Sequence, residues 1–182
     1  LSAQAATLGA VNTVVNDDGR LVGHSTDGDG LVASLAAEGV ELAERRVVVV
    51  GAGGAARSVI VAVAAAGASE VAVVNRSSER REAAASLADA AWAVDAADVD
   101  ETIAAAAVVI NATSVGFGAS VDDNHAVPLD ARLLGSRPVV VDLVYHPLET
   151  PLLRAAAAAG CTVVDGLGML IHQAVLQQQL WT

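Results

Sequence analysis

Four consecutive valines, Val47 to Val50, run directly into Gly51-Ala52-Gly53-Gly54-Ala55-Ala56, and no other stretch constrains the fold as tightly. A β-branched run of this length reads as a strand buried on both faces. Ala55 to Ala66 is an Ala/Val/Ile run of helical length, and Gly67 stands where a helix-ending glycine belongs. Strand, glycine turn and helix together have the spacing of a dinucleotide fingerprint ending in Ala56. Gly51 permits the tight turn, Gly53 lets a pyrophosphate approach the backbone, and Ala56 lets the helix pack closely on the strand. The anion would sit over free N–H groups at a helix N-terminus.

Glu70 to Val74 reads as the next parallel strand. An NAD-binding chain usually carries an acidic residue at the end of that strand, for the ribose 2′-hydroxyl. Here the sequence is Asn75-Arg76-Ser77-Ser78-Glu79-Arg80. Two guanidiniums and small hydroxyls suit a 2′-phosphate, which a carboxylate would repel, so NADP(H) is the expected cofactor. The plainer alternative makes Arg76 and Arg80 a solvated helix face.

The rest of the chain repeats the alternation. Helix from about 78 to 89, a weak strand at 92–94, an acidic helix near 98–105 and a strand at 108–110 come first. A long loop follows to about Pro128, with a short helix near 130–134 and a strand at 139–142. Thr150-Pro151 opens a helix ended by Gly160, residues 162–164 form a sixth strand, and a last helix covers 169–180. The fold class expected is α/β, a Rossmann-like, doubly wound parallel sheet. Ahead of it, residues 8–15 and 21–23 flank the turn Asn16 to Arg20 and read as a hairpin or two short strands. Leu31, Val32, Leu35 and Ala36 have helical spacing, and Asp27 either caps that helix or faces a substrate.

Polar residues at the carboxyl ends of the strands should border one crevice. They are Asn75-Arg76, Asn111 to Ser114, Asp142 with Tyr145, and Asp165-Gly166.

Charge and cysteine usage narrow the partners. Net charge is −11, and all ten basic residues are arginines, which argues against nucleic acid and anionic membranes. No apolar run reaches the length of a membrane span, and no signal peptide is visible, so a cytoplasmic location is expected. Cys161, the one cysteine, is expected to be a small buried hydrophobe. His24, His125, His146 and His172 are scattered without ligand spacing, so no metal is expected. Ser114 lacks a nucleophile-elbow setting. The sequence opens on Leu1, which suggests a missing beginning.

Taken in order, seven segments resemble the shikimate dehydrogenase family. They are Gly9 to Thr13, Ser25 to Gly28, Gly51 to Arg57, Asn75 to Ser77 with Arg80, Ile110 to Gly116, Asp142 to Tyr145 with Thr150 to Leu152, and Asp165 to Leu170 with Gln173. The resemblance implies that Gly51, Ala52, Gly53, Gly54 and Ala55 hold the pyrophosphate of NADP(H). It implies Asn75, Arg76, Ser77 and Arg80 for the 2′-phosphate, Thr113 beside the cofactor, and Leu143 and Gly166 near the nicotinamide. Asn12, Asp27, Tyr145 and Gln173 would hydrogen-bond shikimate or 3-dehydroshikimate. Asp27 would pair with a lysine that assists proton transfer at the reacting oxygen. Residues 1–26 would be a remnant of the substrate domain and the hinge, and residues 27–182 the NADP-binding domain.

Two departures from the family pattern stand out. Ser25 replaces an asparagine, losing an amide donor, and the chain has no lysine at all. The family's lysine belongs to the substrate domain, so this chain is expected to bind NADP(H) and turn over little by itself. The expected partner is a small-molecule substrate; homo-oligomerisation stays open. A non-catalytic NADP(H)-binding module is the alternative function, and a quinate-using or NAD-preferring relative a nearer one. The cofactor domain of glutamyl-tRNA reductase would share the glycine turn, but not the set from Asp165 to Gln173.

Overall fold

The computed structural model describes residues 1–120, 123 and 126–182. His125 and part of the loop expected before Pro128 lie outside the described residues. The parallel sheet comprises β3 (Arg46–Val50), β4 (Glu70–Val74), β5 (Ala91–Ala93), β6 (Val108–Asn111), β7 (Val139–Asp142) and β8 (Thr162–Val164). Its order is β5-β4-β3-β6-β7-β8, every pairing parallel. The strand order therefore reverses between β3 and β6, where Val50 pairs with Asn111. At such a reversal the loops leave in opposite directions and open a crevice at the strands' carboxyl ends.

Side-chain alternation divides the core into two layers. Val47, Val49, Val71, Val73 and Ile110 face α2 (Asp27–Ala37), α3 (Gly54–Ala65) and α7 (Gly166–Trp181), packing with Leu31, Leu35, Val59 and Met169. Val48, Val50, Val109 and Val140 face the other side, against Ile103, Leu134, Leu152 and Ala156. Burial on both faces explains why these strands read as continuous apolar runs. That second layer draws on α5 (Val99–Ala104) and α6 (Pro151–Ala158). The remaining helix of the sheet, α4 (Ser78–Ala85), packs beside β5 and is shorter than expected. The short helix expected near 130–134 is a single 3-10 turn, Ala131–Leu133.

Ahead of the sheet, β1 (Thr13–Asp17) and β2 (Arg20–His24) form the expected antiparallel hairpin. A further helix, α1 (Ala3–Leu8), precedes it, capped by the Ser2 side chain accepting from the Ala5 amide. The hairpin is tied to the end of the chain: Trp181 Nε1 donates to the Val14 carbonyl at 3.1 Å.

Helix α2 corrects one expectation. Thr26 is its N-cap and Asp27 its first helical residue, so the Asp27 carboxylate is not the cap. Backbone proximity fixes where this helix lies. A Cβ on Gly30 would stand 2.7 Å from atoms of Gln173, so only glycine lets α2 and α7 approach this closely. Cys161 is half-buried, its thiol 3.9 Å from the Leu134 carbonyl, rather than fully enclosed.

Candidate active site

The turn after β3 is built for a ligand rather than for a side chain. Gly51 sits at φ +126°, and a Cβ there would lie 2.7 Å from the Ala112 carbonyl, which excludes any L residue. Gly53 occupies the N-cap of α3 with no side-chain cap, while a Cβ on it would meet nothing within 4 Å. The first turn of α3 therefore presents N–H groups without intrahelical acceptors toward open space, the arrangement that suits a phosphate. Thr113 flanks this turn, its hydroxyl donating to Asn111 Oδ1 at 2.7 Å.

At the end of β4, Asn75 Nδ2 donates to the Ser77 carbonyl at 3.1 Å, and Ser77 Oγ caps α4 by accepting from the Arg80 amide. Arg76 and Arg80 are exposed, and among the described residues neither guanidinium has a carboxylate partner. Two guanidiniums beside a helix N-terminus, with Glu79 between them in sequence, are donors of the kind that would suit an anion.

A second cluster forms where α1, the hairpin, α2 and α7 meet. Asn12 Nδ2 donates to Asp27 Oδ1 at 2.6 Å and to Thr26 Oγ1 at 2.9 Å. Its Oδ1 accepts from the Thr26 amide at 3.0 Å and the Thr13 hydroxyl at 2.8 Å. Gln173 Oε1 lies 3.4 Å from both the Asn12 amide and the Thr26 hydroxyl, and Gln177 donates to it. Burial pushes the Asp27 carboxyl above its ordinary range, and the Asn12 hydrogen bond only partly opposes this. No arginine forms an ion pair with Asp27 among the described residues. Ser25, the substituted position, is buried and bonded to Ser58 Oγ at 3.2 Å.

The two clusters meet at a cleft of about 290 Å³. Asp27, Tyr145 and Gln173 line it together with Ala55, Leu143 and Gly166. Asn12 stands behind Asp27; Gly51 to Gly54, Asn75, Arg76, Ser77, Arg80 and Thr113 lie outside the cleft lining. Met169 and Leu170 also line the cleft. Sequence reading missed them, although they sit three and four residues before Gln173 on α7, the spacing that places residues on one helix face.

Two strand-end acids prove structural. Asp165 caps α7, accepting from the Leu167 amide at 2.9 Å, so that helix starts at Gly166 rather than near Met169. Asp142 is fully buried beneath the crevice rather than bordering it. Its carboxylate accepts from Asn111 Nδ2 at 2.8 Å, the Val144 amide at 3.0 Å and the Thr150 hydroxyl at 2.7 Å. These bonds tie β6, β7 and α6 together and hold the backbone between Leu143 and Tyr145. Burial nonetheless raises the Asp142 carboxyl above its ordinary range. Among the described residues no group of His, Cys, Asp and Glu is placed to hold a metal ion, and no helix is long and apolar enough to cross a membrane.

The sequence matches the model of the Shikimate / quinate 5-dehydrogenase family over residues 34–143. The chain belongs to this family. It is 40% identical over 190 residues to the NADP(+) shikimate dehydrogenase of Alkaliphilus oremlandii, covering all of this chain and 66% of that protein. Among solved structures, it resembles shikimate 5-dehydrogenase from Thermus thermophilus in complex with NADP(H) and shikimate. That pair shares 42% identity at a TM-score of 0.85, over all of this chain and 65% of the other. The quinate dehydrogenase from Corynebacterium glutamicum in complex with NAD matches at 39% identity and a TM-score of 0.86, with the same coverage. The chain thus spans between 62% and 66% of the length of the first curated relatives it matches. The matched span begins within α2 and ends at the residue after β7. Asn12, just before the hairpin, and Gln173 on α7 lie outside it.

Proposed function

We propose that this chain supplies the cofactor domain and part of the substrate site of an NADP-dependent shikimate dehydrogenase, reducing 3-dehydroshikimate to shikimate. Residues 27–182 are assigned to the cofactor domain and residues 1–26 to the substrate side. The observation that carries the reading is the cleft shared by Asp27, Tyr145 and Gln173 with Ala55, Leu143 and Gly166.

The open, uncapped start of α3 fits a pyrophosphate, and Arg76 and Arg80, without an ion pair among the described residues, fit a 2′-phosphate together with Ser77. NADPH, when bound, supplies the hydride for the carbonyl carbon. Ala55, Leu143 and Gly166 give the cleft an apolar lining for the nicotinamide. Asn12, Tyr145 and Gln173 offer the donors and acceptors that a cyclic polyol acid requires. Reduction leaves negative charge on the substrate oxygen, which needs one proton. Asp27 is placed to hold and orient a cationic acid that gives up this proton. The family resemblance gives that role to a lysine, and none of the 182 residues is one, so in this reading a lysine outside them supplies the proton.

A non-catalytic NADP(H)-binding module is the second reading, favoured by the missing lysine and by an Asp27 that has no ion-pair partner among the described residues. Titration with NADPH and with NADH, followed by nucleotide fluorescence, tests the cofactor assignment. Shikimate-dependent reduction of NADP⁺ by the same sample tests the rest. Binding of NADPH without turnover supports a cofactor domain lacking its acid, and failure to bind NADPH removes both readings.

A further inference from the structure

The chain holds one tyrosine, one phenylalanine and two tryptophans, and two of these four aromatic residues meet at the cleft. Phe117 lies 5.6 Å from Tyr145 between ring centroids, with the planes at 81°, an edge-to-face pair. The same ring stands 6.2 Å from His146 at 65°. Phe117 follows β6 and Tyr145 follows β7, so the contact bridges two loops at the carboxyl edge of the sheet. A backbone bond reinforces it, the Gly118 amide donating to the His146 carbonyl at 2.7 Å.

Both rings are substantially exposed, 54% for Phe117 and 42% for Tyr145, so core packing holds neither. The backbone before Tyr145 is fixed by the Asp142 bond to the Val144 amide. That bond leaves the Tyr145 ring free to rotate about its own side-chain bonds. Edge-to-face geometry is the arrangement in which one ring's positive edge meets the other's negative face. Here it supplies the restraint that the backbone cannot.

We propose that Phe117 is a positioning residue, holding the Tyr145 ring in the wall of the cleft so that its hydroxyl is preset for a polyol substrate. The inference rests on the substrate role given to Tyr145 above. Phe117 itself is absent from the cleft lining and acts through its neighbour. It also links the loop after β6, which begins beside Thr113 and the cofactor turn, to the substrate side of the site.

A double-mutant cycle on the full-length gene product tests this, with Phe117→Leu, Tyr145→Ala and both together. Phe117→Leu should raise KM for shikimate about two- to tenfold, the range of an aromatic pair, with kcat and NADPH affinity within about twofold. Phe117→Tyr should restore the wild-type KM. In the Tyr145→Ala background the Phe117→Leu change should cost nothing further, because its only route is gone. An additive loss, or an unchanged KM in Phe117→Leu, overturns the proposal. In the 182-residue chain the single Tyr and single Phe also make the ring contact readable by NMR. A Tyr145–Phe117 cross-peak is expected, with Tyr145 ring resonances shifting in Phe117→Leu, and its absence overturns the proposal with no reference to turnover. If the wild type neither binds nor oxidises shikimate while this cross-peak is present, the functional reading fails and the positioning of Tyr145 stands.

Discussion

Asn12 and Asp27, fifteen residues apart, are joined by the 2.6 Å bond from the Asn12 amide to the Asp27 carboxylate. The bond connects the start of the hairpin to the first residue of α2. It draws the raised Asp27 carboxyl back toward its ordinary range. Asn12→Ala should therefore raise it further, readable as a shift of the Asp27 carboxyl carbon in an NMR pH titration. An unchanged titration would mean that the bond does not act on the charge.

The raised value also fixes the sign of a stability effect. A carboxyl whose folded value exceeds its unfolded one contributes stability that is fully present below the unfolded value and lost as pH rises through the folded value. The Asp27→Asn variant escapes that loss. Its Tm should equal or trail that of the wild type in acid, then overtake it as pH rises toward neutrality. In the full-length gene product the same change should lower turnover by up to about 10²- to 10⁴-fold, the usual contribution of the proton-transfer group that Asp27 orients. NADPH affinity should be unchanged, since Asp27 lies outside the phosphate turn.

Arg76 and Arg80 carry the cofactor preference in this reading. Losing charge-assisted bonds to a phosphate costs roughly 1.5–3 kcal/mol each, so Arg76→Ala and Arg80→Ala should each weaken NADPH binding about 10- to 100-fold. NADH binding should stay level, because it offers no 2′-phosphate. Equal losses for both nucleotides, measured by fluorescence titration, would return these arginines to a merely solvated helix face.

The two glycines of the turn should part company under substitution. Gly51→Ala places a Cβ against the Ala112 carbonyl at a positive φ, and should cost about 2–4 kcal/mol of stability in denaturant unfolding. Gly53→Val meets open space and ordinary backbone angles, so it should fold normally. If that space receives a pyrophosphate, NADPH affinity should nevertheless drop tenfold or more, on the order of 1.4 kcal/mol. Unaltered binding by Gly53→Val would remove the phosphate assignment.

What could be read in the sequence follows from which interactions are local. The six parallel strands were legible because runs such as Val47 to Val50 are buried on both faces and alternate with alanine-rich helices. The glycine turn was legible because its spacing is itself the geometry. Helix α1 was not, since its six residues AQAATL carry little periodicity and are held by caps at either end, the Ser2 side chain and the left-handed Gly9. The start of α2 was obscured by Gly28 and Gly30, which are poor helix formers placed there by close approach to α3 and α7. Asp142 and Tyr145 look alike as strand-end polar residues, yet one is fully buried and the other lines the cleft. Likewise, nothing local signals Phe117, whose partner lies 28 residues further on.

The burial of Asp142 yields the last expectation. Thr150 serves two groups through one hydroxyl, donating to Asp142 Oδ2 at 2.7 Å and accepting from the Leu153 amide at 3.2 Å as the cap of α6. Thr150→Val keeps the shape and removes both bonds. A lost cap costs about 1 kcal/mol and an under-partnered buried acceptor about 1–3 kcal/mol, so a destabilisation of about 2–4 kcal/mol is expected. Thr150→Ser keeps the hydroxyl and should recover most of it. The deficit should also depend on pH. The Thr150 bond favours the charged carboxylate, so its removal raises the folded value of Asp142 further. The deficit should therefore be smallest in acid, where Asp142 is protonated in both states, and grow as pH rises through the folded value. Unfolding at pH 4 and pH 8 decides it: a deficit equal at both would show that Thr150 acts only as a helix cap and leaves the buried carboxylate untouched.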